Sequence, residues 1–420
     1  MAIRVGVADD PEKFLDTDLV VWSDGRGPDP TDVVLRGLTP DQRFAATDDE
    51  APAAPLYAGV YGVFPLTLSI PGPRHTVRQV PVGGLTWVGV HPDQRRKGVL
   101  TSMIRDHFAR VADTDWTGIS ALHASEPVIY GRFGYGLASR ECKVTLGRGT
   151  TLVAPGLDEE AGRVRTELVD AAAEGVAGRV RAATLAGAAV GHGVVTLPED
   201  LYAAYAHEHP DTLRNKEPQR VLLATLDGED VGSAWFRREP KWENGQPQGT
   251  VKVMHVVGTP AARLALARRL VELDLMAKVE ISGCSRDDLL QRWVGPTRGV
   301  VDGGLDSLWL RMVDLPTAMA ARGYSGAADL VLEVTDDFLP DQGGRWRLVA
   351  DEAGSGRVER VDAVPDVTIT TQQLAGAYLG DGSLLRLLQA GTLQEHRQGA
   401  VARLDAALAM PVAPDAATGF

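Results

Sequence analysis

The chain is 420 residues long, more than one hydrophobic core accommodates, so roughly two to four domains are expected. Apolar residues make up 44% and charged residues 24%, proportions of a globular chain rather than a disordered one. With 43 Lys and Arg against 56 Asp and Glu the net charge is −13, and no Lys/Arg-rich run is present. That excludes nucleic acid as the expected partner and leaves cations as the complementary class.

No stretch approaches the ~18 uninterrupted apolar residues of a membrane span. The start, Met1 to Val7, lacks the apolar core of a signal peptide and runs into Asp9-Asp10, so a cytoplasmic location is expected. Cys142 and Cys284 are too few for a disulfide framework and are not pair-spaced for zinc. His91, His123 and His255 show no metal-ligand spacing, and they read as structural or solvent-facing. No metal is expected.

In chain order, Ala54 to Phe64 and Pro65 to Ile70 read as two strands, followed by turn residues Pro71-Gly72-Pro73. Gly84 to Val90 is a third strand, ended by His91-Pro92. From Gly98 to Ala112, Val99, Leu100, Met103, Ile104, Phe108 and Val111 recur at helical spacing. Gly118 to His123 reads as a strand, a short helix starts near Pro127, and a last strand runs from Cys142 to Leu146. Pro155 to Arg163 has the composition of a linker. Val221 to Leu226 and Val231 to Phe236 form a hairpin through Asp227-Gly228-Glu229-Asp230. A strand at Val251 to Val257 leads into a helix at Pro260 to Leu275, the same strand-loop-helix order as Trp87 to Ala112, which suggests a structural repeat. From about Gly303, a strand at Leu308 to Met312 and a helix at Pro316 to Arg322 come first. Strands at Leu330 to Val334, Arg345 to Val349 and Val367 to Ile369 follow, with helices at Gln372 to Leu379 and Gly399 to Ala409. This is an α+β pattern after two mixed-sheet α/β units. In the tail Pro411 to Phe420, Asp415 is the only ionised side chain.

The chemistry concentrates in Val88-Gly89-Val90-His91-Pro92-Asp93-Gln94-Arg95-Arg96-Lys97-Gly98-Val99-Leu100. A strand ends, a basic loop follows, and an amphipathic helix begins. The unpaired N–H groups of a helix start carry partial positive charge and suit a pyrophosphate. Gly98 allows close backbone approach, and Arg95, Arg96 and Lys97 supply counter-charge. An exposed basic turn before an ordinary helix has the same composition, so the residues alone leave both readings open.

Arg95-Arg96-Lys97-Gly98-Val99-Leu100 resembles the Arg/Gln-x-x-Gly-x-Gly/Ala acetyl-CoA loop of GNAT acetyltransferases, with Leu100 in place of the usual small residue. Ala121 to Glu126, Ile129-Tyr130-Gly131-Arg132-Phe133-Gly134-Tyr135-Gly136, Leu308 to Arg311, Ala321-Arg322-Gly323-Tyr324 and the terminal Phe420 look very like the Eis subfamily, whose loop tolerates leucine there. The resemblance covers the whole chain. It implies an N-terminal GNAT domain over 1–150, a second GNAT-like domain over 160–300, and a sterol-carrier-like α+β domain over 303–420, assembled as a homohexamer. In the second domain Gly258-Thr259-Pro260-Ala261-Ala262 stands where the basic loop stands in the first, and Pro260 removes a donor, so no CoA site is expected there.

The resemblance further implies that Val88, Gly89, Val90, Arg95 to Leu100 and Ser125 serve acetyl-CoA, with strand N–H groups near Val88 and Val90 on the thioester carbonyl. Tyr130 would protonate the departing thiolate, one turn past Pro127 with Ser125 as N-cap, and the Phe420 carboxylate would act as base. Trp22, Asp24 and Trp87 occupy positions like those presenting aromatic and acidic groups to a cationic amine. Where members carry an acidic residue before the terminal Phe, this chain has Gly419. The expected activity is acetylation of primary amines on cationic small molecules: aminoglycosides, then lysine side chains or polyamines. The alternative is a non-catalytic acyl-CoA or lipid binder using the sterol-carrier-like domain.

Overall fold

The computed structural model describes residues 3–48, 56–213, 216–295, 301–415 (backbone only at 301 and 302) and 418–420. The N-terminal elements are β1 (Ile3–Val7), α1 (Pro11–Trp22), β2 (Arg43–Asp48), β3 (Gly59–Pro71), β4 (Val77–Val90), α2 (Val99–Ala112), β5 (Ile119–His123), α3 (Pro127–Tyr130) and β6 (Gly136–Leu137). Helix α1 was not expected; Asp10 caps it, accepting from the Lys13 N–H at 2.9 Å, and Pro11 opens it.

The strands expected over Ala54–Phe64 and Pro65–Ile70 are one strand, β3, and Ala54 lies outside the described residues. Pro65 is tolerated because of where it falls on the outer edge of β3. Pairing with β2 ends at Gly62, and pairing with Val195–Thr196 covers only Thr67 and Leu68. Between them no ladder donor is required.

The second sheet uses β7 (Arg140–Gly147), β8 (Arg165–Asp170), β9 (Arg220–Leu226), β10 (Glu229–Glu239), β11 (Gly249–Gly258), β12 (Met276–Ser285) and β13 (Val301–Asp306). Its order is β13-β7-β12-β11-β10-β9-β8. Helices α4 (Val176–Ala188), α5 (Glu199–Ala206) and α6 (Pro260–Val271) accompany it. The expected repeat is visible: β4-α2-β5 and β11-α6-β12 are both strand–helix–parallel-strand units. Helix α6 stops at Val271, short of Leu275, which takes a left-handed φ of 64°. Pro155–Arg163 is not a plain linker, since Asp158–Arg163 is helical and buries Ala161.

Two strands change partners relative to their order in the chain. The strand expected at Cys142–Leu146 is β7, and it completes the second sheet rather than the first. Leu308–Met312, designated β14, sits in the first sheet between β5 and β6 rather than in the C-terminal unit. The crossings are bonded to each other. Ser139 N donates to Leu308 O, Leu308 N to Ser139 Oγ and Ser307 N to Ser139 O, with both serines buried. Cys142 and Cys284 are buried and face each other across β7 and β12.

The C-terminal unit contains α7 (Leu315–Ala321), β15 (Ala328–Thr335), β16 (Gly344–Ala350), β17 (Gly356–Arg360), β18 (Val367–Thr370), α8 (Thr371–Gly376), α9 (Leu384–Gln389) and α10 (Ala400–Leu408). Strand β17 and helix α9 were not expected, and α8 is shorter than Gln372–Leu379. Gly323 docks this unit on the β3–β4 turn: its N–H donates to Pro71 O at 2.6 Å, and a Cβ there would lie 1.9 Å from the Gly72 carbonyl carbon. Arg322 beside it is fully buried and donates to the carbonyls of Gly323, Tyr378 and Leu408. Arg311 of β14 pairs with buried Asp336 at 2.6 Å. Among the described residues, no helix is long and apolar enough to cross a membrane.

Candidate active site

The site grows from a fork in the first sheet. β4 and β5 are parallel, but their ladder consists of Gly83 with Ser120 and Gly84 with Ala121, and the strands part beyond. On the other edge, the register against β3 shifts between Val60 and Gly62, which leaves Tyr61 facing both Trp87 and Val88. Trp87 adopts a left-handed φ of 52° at this bulge. The backbone of Leu85 to Val90 therefore turns an unladdered edge into the opening between the strands.

Helix α2 closes one side of that opening. Its N-cap, Gly98, has φ 84°, and nothing lies within 4 Å of where a Cβ would stand. Glycine is required by the backbone angle, and the space above it is open. No side chain caps α2, so its first-turn N–H groups remain available to a ligand. The contrast with α6 is direct, because there Thr259 accepts from Ala262 N and Pro260 occupies the first turn.

A cavity of about 910 Å³ occupies the fork. Of the expected cofactor residues, Val88, Val90, Arg95, Arg96, Gly98, Val99, Leu100 and Ser125 line it. Gly89 and Lys97 do not: Gly89 is buried against Val21, and the Lys97 ammonium donates to Gln94 Oε1 at 3.1 Å. Trp22 and Trp87 line the same cavity, with Trp87 packed 6.0 Å from the Phe14 ring, whereas Asp24 is exposed and outside it. Tyr130 and Phe420 line it as well, so both expected catalytic residues meet in one space.

Several lining residues were not anticipated. Arg105 lies on α2 one turn beyond Thr101, and Arg132 lies within the Tyr-Gly-Arg-Phe motif. Their charge and spacing were legible in the sequence. Phe338 comes from the C-terminal unit, packing edge-on against Phe108 and Phe133, and no local signal marks it. Among the described residues, Arg95, Arg96, Arg105 and Arg132 form no ion pair, although they border one cavity of an acidic protein. Arg105 instead lies 5.5 Å from the Phe338 ring centre and Arg132 4.8 Å from that of Phe133.

Tyr130 ends α3. The N-cap of that helix is Glu126 rather than Ser125, and no side chain bonds the cap. The Tyr130 ring stands edge-on to Tyr135 at 5.8 Å. Burial, reinforced by the Glu126 carboxylate, pushes its phenol up to about 12. Beneath it, His107, Ser120 and Tyr135 form a buried chain with contacts of 2.7 and 2.6 Å.

Phe420 is half-buried, its ring edge-on to His123 at 5.0 Å. A Cβ on Gly84 would approach Leu66 to 2.3 Å and the Phe420 ring to 3.0 Å, so glycine makes room for the chain end. Burial holds the His123 imidazole below its ordinary range, with the backbone at Thr418 and Ser307 opposing. Rather than a peripheral histidine, His123 lines both this cavity and a second one of about 600 Å³, and so does Phe420. The tail before them is tethered to the second unit. Asp415 approaches Arg263 at 3.5 Å, Asp415 N donates to His192 O, and Pro414 O accepts from Ser285. Among the described residues no group of three or more His, Cys, Asp or Glu could hold a metal ion.

Residues 12–138 and 193–311 each match an acetyltransferase (GNAT) domain, and residues 315–414 match a sterol carrier protein domain. An uncharacterized N-acetyltransferase of Streptomyces avermitilis is 33% identical over 369 residues, covering 86% of each chain. The N-acetyltransferase Eis of Mycobacterium tuberculosis is 29% identical over 401 residues, covering 92% of this chain and 91% of its own. The crystal structure of Eis1 from Mycobacterium abscessus superposes over the full length of both chains, with a TM-score of 0.80 at 26% identity. With two acetyltransferase domains and a sterol carrier domain in this order, and relatives matched along nearly the whole length, this chain belongs to the Eis-type GNAT N-acetyltransferases.

Proposed function

We propose that this enzyme transfers the acetyl group of acetyl-CoA to primary amines of cationic small molecules, by direct attack within a ternary complex. The observation that carries the reading is the set of unpaired guanidiniums, Arg95, Arg96, Arg105 and Arg132, around a cavity that also receives the uncapped start of α2. All four are exposed and none has a carboxylate partner among the described residues, so together they offer a polyanion several charge-assisted contacts at one opening. The phosphates of CoA supply that charge. The open space over Gly98 allows the backbone to meet a pyrophosphate.

In this reading the thioester lies along the unladdered edge of β4, its carbonyl against N–H groups near Val88 and Val90. The amine loses a proton as it attacks, and the sulfur gains one as it leaves. The terminal carboxylate of Phe420 takes the first proton and the Tyr130 hydroxyl serves the second. An α-carboxyl has an ordinary pKa near 3.5, so it acts by holding an ammonium and passing its proton on. Trp22 and Trp87 form the aromatic mouth. Aminoglycosides, polyamines and lysine side chains are the acceptor classes to test first. The three domains divide near 150 and 303, with CoA held only in the first, because α6 is capped by Thr259 and lacks a basic loop. A homohexamer in the cytoplasm completes the proposal by family likeness.

Calorimetry with acetyl-CoA tests it. Wild type should bind, Arg96→Glu should abolish binding without lowering the melting temperature, and Gly98→Pro, which cannot adopt φ 84°, should abolish it by distorting the start of α2. Binding untouched by both substitutions would instead favour acyl-CoA or lipid carriage by the C-terminal domain. Initial-rate kinetics should show intersecting lines; a ping-pong pattern would refute direct attack.

A further inference from the structure

The second GNAT-like unit has a fork of its own. The ladder between β11 and β12 ends at Val253 with Ile281, and the strands separate beyond. Against β10, Trp235 pairs with His255 and Phe236 with Val253, so Met254 is an extra residue, as at the bulge in β4. The cavity of about 600 Å³ lies in this fork, with Met254 and His255 on one strand and Ser282 and Gly283 on the other. Its other end is Phe420. The chain terminus thus borders the fork of each unit.

The chemistry of the wall is distinctive. Tyr202, Tyr205, Trp235 and Met254 give it an aromatic and apolar character. Among the described residues, Glu141 is the one side-chain carboxylate that lines it, and no Lys or Arg does. His123 and His255 are both held below the ordinary imidazole range by burial, so they stay neutral and do not repel a cation. A polyammonium placed here would bury several charges against a single side-chain carboxylate and the chain end, which is unfavourable. One ammonium at the Phe420 end, carrying an apolar or aromatic body, matches both the charge and the wall.

We propose that the fork of the second domain is the acceptor pocket, and that it selects primary monoamines with an aromatic or apolar body over polycations. This rests on the acetyltransferase reading above and narrows its acceptor class. The test uses the full-length protein with acetyl-CoA and four probes: phenethylamine, tryptamine, spermidine and a tetra-amino aminoglycoside. The aryl monoamines should show kcat/KM at least about tenfold above the polycations. Met254→Glu adds a carboxylate to the wall at a position 44% exposed, and should raise the spermidine-to-phenethylamine ratio about tenfold. Tyr205→Ala should lower that of the aryl amines about fivefold relative to spermidine. Thermal melts confirm that each variant is folded.

Retained acetyl-CoA binding with polycations preferred, or with Met254→Glu shifting both classes alike, overturns the acceptor assignment alone. Acetyl-CoA bound with none of the amines acetylated overturns it equally. Failure to bind acetyl-CoA at all overturns the underlying reading and this inference with it.

Discussion

Replacing Tyr130 by Phe removes one hydroxyl and leaves the packing against Tyr135 intact, so it isolates the proton role. With the phenol pushed up to about 12, transfer of its proton to a free thiolate near 8.5 is uphill by roughly 3.5 units, about 5 kcal/mol. Complete proton transfer is therefore a poor description. In the proposed mechanism the hydroxyl contributes as a hydrogen-bond donor to the charge that develops on sulfur, and loss of one such donor costs about 10²–10³ in kcat. The expected result for Tyr130→Phe is a fall of that size at saturating acetyl-CoA and amine, with the affinity for acetyl-CoA unchanged. Thiol release measured from pH 6 to 10 checks it. Because the group stays protonated until about pH 12, the wild-type profile should show no descending limb from Tyr130 in this range. A variant within about threefold of wild type, or a limb near pH 8–9 that vanishes with the substitution, would refute the reasoning.

Acid should destabilise the fold. His107 is held at about 3, and His192 and His255 at about 4, all by burial. Their folded pKa values lie below the ordinary 6.5, so the unfolded chain takes protons first, and stability present above pH 6.5 is lost as pH falls. From pH 7.5 to 5 each costs about 2 kcal/mol. Asp18, raised by burial to about 7, works oppositely and returns roughly 2.5 kcal/mol, leaving a net loss of about 3–4 kcal/mol. A melting temperature that holds or rises down to pH 5 contradicts this. Asp336→Ala should cost about 3–5 kcal/mol in chemical denaturation, because it strands the buried Arg311 guanidinium. Asp415→Asn should lower kcat about tenfold by loosening the tail from Arg263, with acetyl-CoA affinity unchanged by calorimetry. Extending the chain a few residues past Phe420 should abolish turnover while preserving binding; undiminished activity would remove the terminal carboxylate from the chemistry.

Much of the site was legible in one dimension because it is local. A strand, a basic turn, a positive-φ glycine and an amphipathic helix are contiguous from Val88 to Ala112, and their chemistry is set by neighbours in the chain. Elsewhere the deciding contact is distant or depends on side-chain direction. Lys97 is as basic as Arg96, yet only the fold shows its ammonium turned to Gln94. His123 carries no spacing signal and becomes central only because residues nearly 300 positions away end beside it.

The amino-acid sequence alone determined the repeat of strand, loop and helix, the absence of the basic turn in its second copy, and the cluster of cations before the first amphipathic helix. Hydrophobic periodicity and backbone propensity act over a few residues, so they are written locally. The tertiary structure alone decided that Arg140–Gly147 and Leu308–Met312 exchange sheets, that Phe338 reaches the first cavity, and that Phe420 stands between two forks. A strand's pattern says which face is apolar but not which edge it will meet; that choice is made by pairing and packing across the whole chain.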